Sequence, residues 1–106
     1  MQTITRPQGM LQTIAEDAAH LASLLDSNPI NAEVTDTLDA LRPLLNTGHD
    51  PLDNAELCDL AKESAYLVYA LTAAGTATMS DGIQQAFYAL LGNLKSIGLM
   101  DAYEGL

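Results

Sequence analysis

The apolar residues of this chain recur every three or four positions, the spacing that lines one face of an α-helix, and they nowhere alternate as a half-buried strand would. Leu11, Ile14, Ala18, Leu21 and Leu25 form the first stripe. Asn28-Pro29 closes it, because proline excludes the residue before it from the helical region. Val34, Leu38, Leu41 and Leu45 form the second stripe, with Asn31 placed to cap it and Glu33 and Asp36 suited to the positive end of its dipole. Pro43 interrupts this pattern. Inside a helix it removes a hydrogen bond and clashes with the carbonyl four residues back, at about 3 kcal/mol. The expectation is a kink or an early end near Leu41, with Leu44 and Leu45 still reaching the core.

Asn46 to Pro51 reads as a loop, with Asp50 as a cap and Pro51 at the first helical position. Leu57, Leu60, Ser64, Leu67, Leu71 and Ala74 then make a third stripe, and Gly75 is its expected stop. Thr78 and Asp81 have capping-box spacing ahead of the fourth stripe, Ile83, Phe87, Leu90, Leu94 and Ile97. Gly98 followed by Leu99 has the form of a Schellman ending. The pattern predicts one all-α domain spanning 1–106: a small antiparallel four-helix bundle with helices near 9–27, 32–46, 52–74 and 79–97. Residues 1–7 and 101–106 are expected to fray.

Composition narrows the class. At 106 residues the chain can build one core, and its 48% hydrophobic content separates it from a disordered acidic tail. Fourteen acidic residues against four basic ones leave a net charge of −10, which excludes direct binding of nucleic acid or of an anionic membrane surface. The first residues lack the apolar run of a secretory signal. The longest uncharged stretch, 64–80, is interrupted by threonines and a glycine and falls short of the roughly 20 apolar residues that span a bilayer. Cys58 has no intrachain partner. These features imply a cytoplasmic protein.

The charge is unevenly distributed. Residues 31–63 hold eight acids and two bases, a local net of −6, whereas 64–100 hold only Asp81 and Lys95. The third helix changes character along its length: a row of Glu56, Asp59 and Glu63 continues as Tyr66, Ala70 and Ala73. A helix apolar on all sides is buried on more than one of them. The C-terminal half of this helix is therefore expected to need a further partner, and a twofold homodimer is the commonest way to supply one. Tyr66 and Tyr69, one turn apart, suit such an interface; the alternatives are ordinary core or the wall of a ligand pocket. Ala86, Ala89 and Gly92 lie beside the main stripe of the fourth helix, and a mid-helix glycine points to close helix approach. The self-association set is thus Tyr66, Tyr69, Ala70, Ala73, Ala86, Ala89 and Gly92.

Candidate chemistry is sparse. His49, Asp50, Asp53 and Glu56 carry ligand types that zinc or manganese accepts, yet a cap, two dipole-favoured carboxylates and a turn histidine account for them better, and no metal or cofactor is expected. His20 with Glu16 or Asp17 reads as an exposed helix-face ion pair before it reads as an acid–base pair. A carboxylate beside Cys58 disfavours its thiolate, and no catalytic motif is present, so no enzyme activity is expected.

Glu33, Asp36, Asp39, Asp53, Glu56, Asp59 and Glu63 form an acidic face, either a solvated surface or a docking site for a basic protein. In size, charge and cysteine usage the chain is similar to the small acidic helical proteins that act as antitoxins, immunity proteins, inhibitors or secretion chaperones, a likeness of class that rests on no shared motif. The expectation is a non-catalytic protein-binding module that dimerises through its uncharged half and engages a basic partner through residues 33–63. One alternative is a small-molecule-binding or catalytic bundle, which needs buried polar groups where the stripes offer only Ser64. The other is a purely structural, self-assembling accessory protein.

Overall fold

The structure, a computed structural model, describes the backbone of residues 6–46 and 53–98 and the side chains of 11–46 and 53–98. Within these residues the chain forms α1 (Arg6–Ser27), α2 (Ala32–Leu45), α3 (Asn54–Ala74), a short 3-10 turn (Thr76–Thr78) and α4 (Asp81–Ser96), with no strand. The architecture is an all-helical bundle. α1 and α3 pack together at its centre; α2 lies mainly on α3, α4 lies mainly on α1, and α3 also touches α4. The consecutive helices α1 and α2 meet only slightly, so chain order does not set the packing order.

Each helix boundary has a local cause. α1 starts three residues ahead of its predicted limit, with Pro7 in its first turn, where a backbone N–H has no helical acceptor and its loss is harmless. At its other end the Asn28 amide donates back to the Leu24 carbonyl just before Pro29. The Asn31 side chain caps α2, accepting from the Val34 N–H at 2.8 Å. α2 then runs through Pro43 to Leu45, so the early end expected at Leu41 does not occur. Pro43 falls in the last turn, and the carbonyl left without a donor belongs to Asp39, an exposed residue that water can reach. Leu44 and Leu45 pack against the core.

Two caps differ from their expected positions. α3 is capped by Asp53, whose carboxylate accepts from the Glu56 N–H at 2.8 Å while the Glu56 carboxylate accepts from the Asp53 N–H at 2.9 Å. The cap expected at Asp50, with Pro51 behind it, lies outside the described residues. α4 is capped by Ser80, not by Thr78. The Thr78 hydroxyl instead donates to the Gly75 carbonyl and closes the 3-10 turn. Gly75 ends α3 with φ of 92°, a conformation that a Cβ would strain. Gly98 follows α4 with φ of 82° and donates its N–H to the Lys95 carbonyl, half of a Schellman motif; Leu99 and both chain ends lie outside the described residues.

All four stripes face inward. Ile14, Leu21, Leu41, Leu60, Leu67, Leu71, Ile83 and Leu90 are fully buried, each stabilised by about 1.5–3 kcal/mol relative to exposure. Ser64, the buried polar residue on these stripes, donates its hydroxyl to the Leu60 carbonyl at 2.8 Å. α3 also buries Ala61, Ala65, Val68 and Ala70, residues beside its main stripe. Contact with three helices explains this burial, while on the row expected to call for a second subunit Ala70 is covered by its own chain and Tyr66 and Ala73 stay exposed.

Candidate protein-interaction surface

α2 and α3 lie side by side, and together with the Asp53 cap they carry every described acid of the charged segment. Glu33, Asp36, Asp39, Asp53 and Asp59 are exposed, while Glu56 and Glu63 are half-buried. Their surroundings divide them. Asp53 and Glu56 are bound to each other's backbone in the capping box, so their carboxylates hold the start of α3. Asp39 accepts from the Arg42 Nε at 3.3 Å.

Arg42 is the centre of the local electrostatics. Its guanidinium faces Asp26 of α1 fork to fork, with Nη1 to Oδ2 at 3.2 Å and Nη2 to Oδ1 as the second bond. The hydrogen bond from Arg42 holds the Asp26 carboxyl below its ordinary value, and the same bond raises Arg42 above its own. One of the two bases in 31–63 is therefore already engaged by two carboxylates. Lys62, the other, is exposed between Asp59 and Glu63.

Tyr66 stands one turn beyond Lys62 and is 57% exposed. With Lys62, Ala65 and Tyr69 it lines a shallow hollow of about 220 Å³ on the outer side of α3. Acidic residues, a lysine and a protruding aromatic ring thus share one helix surface. A second hollow of about 230 Å³, between α1 and α2, is lined by Ala19, Ala22, Ser23, Leu45 and Asn46 and by Asp26 and Arg42, whose charges already satisfy each other.

The residues expected to self-associate are not all at the surface. Ala70 and Ala86, at 4% and 6% exposure, belong to the chain's own core. Tyr69 is half-buried, Tyr66 and Ala73 are exposed on α3, and Ala89 and Gly92 are exposed on α4. A Cβ at Gly92 would meet no other element within 4 Å among the described residues, so this glycine serves no close approach between the described helices.

The remaining candidates separate similarly. Asp17 accepts a hydrogen bond from the Asn93 amide, tying α1 to α4, while His20 is exposed on α1. Cys58 is half-buried beside buried Leu57. His49 and Asp50 lie outside the described residues, among which no group of three metal-ligating side chains occurs. Ser64 is satisfied by its own helix, and no described buried side-chain polar atom lacks a partner. No described helix is long and apolar enough to cross a membrane.

Two features escaped the sequence reading. The Arg42–Asp26 pairing joins residues 16 apart on different helices, and no periodicity signals it. Tyr88, 54% exposed on α4, was recoverable from spacing: Asp81, Gln85, Tyr88, Gly92 and Lys95 repeat at 4, 3, 4 and 3 on the face opposite the core stripe. Compared with protein-family models, curated proteins and solved structures, the chain matches none of them.

Proposed function

We propose that this chain is a non-catalytic protein-binding module, of regulatory, inhibitor, antitoxin or accessory type. It engages a basic partner through its acidic α2–α3 surface and pairs with a second copy through its uncharged C-terminal half. The observation that carries the first part is the state of Arg42. With its guanidinium held by Asp26 and Asp39, it offers no compensation to Glu33, Asp36 and Asp59, which stay exposed. Such a surface attracts a basic partner over roughly a Debye length and repels acidic ones. Tyr66, next along α3, supplies the amphipathic aromatic anchor that charge alone lacks.

The test is affinity capture from the native host with the wild type and with a Glu33→Lys/Asp36→Lys/Asp59→Lys variant. Asp53 and Glu56 are left intact because reversing them would uncap α3. The expected result is a basic protein retained by the wild type, released by salt and lost by the variant, with both chains equally helical by circular dichroism. An identical captured set for the two chains overturns the proposal.

A further inference from the structure

α4 carries a second surface, unlike the one on α3. Among its exposed residues, Asp81, Gln85, Tyr88, Gly92 and Lys95 fall within roughly 80° of the helix circumference at 100° per residue, with Gly82, Ala89 and Ser96 to one side. The opposite stripe, Ile83, Phe87, Leu90 and Leu94, is buried. The outer row is symmetric in charge: the one acid of α4 stands at its start, its one base at its end, and Tyr88 seven residues from each. Asp81 and Lys95 are therefore about 21 Å apart along the axis, with Tyr88 at the midpoint.

We infer that a second copy of this chain docks on this row, the two α4 helices running antiparallel about a twofold axis through Tyr88. This rests on the self-association part of the preceding proposal and assigns it a surface and an orientation. In that arrangement Asp81 meets Lys95 of the second copy, twice over. Gln85 falls within one residue's rise, about 1.5 Å, of Gly92 along the axis, where the missing Cβ admits an incoming side chain, and the two Tyr88 rings meet at the axis in an offset pair. Lys95 has three donors, so it takes a carboxylate from outside in addition to contacts within its own chain. A parallel arrangement would set Asp81 against Asp81 and Lys95 against Lys95, so charge alone selects the antiparallel form.

The outer row of α3 lacks this property. Asp59 and Lys62 both precede Tyr66, and Ala73 follows it. A twofold axis through Tyr66 would leave both charges opposite apolar residues. Gly92 gives independent support, since it is exposed and no other element among the described residues comes within 4 Å of the place a Cβ would take.

One 16-residue helix presents less area than the roughly 800 Å² per partner of a standard interface, so the dimer is concentration-dependent. The test is analytical ultracentrifugation of the full chain up to about 1 mM. The variants are Asp81→Lys, Lys95→Asp, Tyr88→Glu and Tyr66→Glu, each checked for helicity by circular dichroism. The wild type is expected to dimerise and Tyr66→Glu to leave the dimer intact. Tyr88→Glu, Asp81→Lys and Lys95→Asp should each weaken it by at least about tenfold, because each sets like charges against one another. An equimolar mixture of Asp81→Lys and Lys95→Asp should recover a heterodimer, which mere loss of folding cannot produce. A wild type that stays monomeric throughout overturns both this inference and the self-association reading. A dimer lost with Tyr66→Glu but indifferent to Tyr88→Glu overturns the α4 surface and leaves self-association standing. A mixture that fails to recover the dimer overturns the charge pairing.

Discussion

Gly92→Ala separates what α4 needs from what its neighbours need. In the interior of a helix, glycine is less favourable than alanine by about 0.8–1.0 kcal/mol, because it orders a freer backbone. That benefit is often cancelled by a clash, but among the described residues a Cβ at this position meets nothing within 4 Å beyond its own helix. Gly92 also lies well inside α4, four residues from its end, so the full propensity difference applies. The variant is expected to gain about 1 kcal/mol, raising the melting temperature by about 4 °C for a domain of this size. The assay is thermal and urea unfolding followed by circular dichroism at micromolar protein, where a weak dimer has dissociated. An unchanged or lowered stability would refute the reasoning, because it would mean that the outer face of α4 is covered within the chain. The gain should be accompanied by an unchanged urea m-value, since the surface exposed on unfolding is almost the same.

Three further outcomes follow from the packing and the charges. Asp53→Ala removes the side-chain half of the α3 capping box and should cost about 1 kcal/mol, read as a lower urea midpoint; an unchanged midpoint would refute the box. Asp26→Asn should lower the melting temperature at neutral pH. Because the Asp26 carboxyl lies below its ordinary 3.8, its contribution is complete above that value and disappears as pH falls through the depressed one, so wild type and variant should converge in acid; an equal difference at pH 7 and in strong acid would count against the Arg42 pairing. Leu60→Ala, at a fully buried position, should cost about 2–5 kcal/mol by chemical denaturation, whereas Ser64→Ala should be nearly silent because its hydroxyl bonds only its own helix.

The helices were legible because large aliphatic residues mark the buried face at every turn: Ile14, Leu41, Leu60 and Leu90 all lie where a 3.6-residue period places them. Caps were legible where one signal stood alone, as at Asn31. Where two signals competed, the reading followed the wrong one: Pro51 drew attention from the Asp53–Glu56 box, and Thr78 from Ser80 two residues on. Alanines carried little information, since Ala61, Ala70 and Ala86 are buried while Ala73 and Ala89 are not. Periodicity reports how much of a helix is apolar but not how many neighbours surround it, and so it could not separate Ala70, which the chain itself covers, from Tyr66 and Ala73, which it leaves exposed. At the candidate surface the acidic residues were visible individually. Their division into capping, clasping and uncompensated groups depended on contacts between helices and on the reciprocal bonds at the start of α3.

The position of α2 at the edge of the bundle has a dynamic consequence. α2 leans on one helix and barely on α1, to which the exposed Arg42–Asp26 pair links it, while α1, α3 and α4 hold one another. Local opening begins where the least area is buried, so α2 is the segment that can lift away while the other three remain folded. One of the two acidic rows therefore rides on the described helix with the fewest buried residues, and the spacing between the rows can adjust to what binds across them. A partner spanning both would act as a clamp, registering as slowed amide hydrogen exchange throughout α2 with little change in α4.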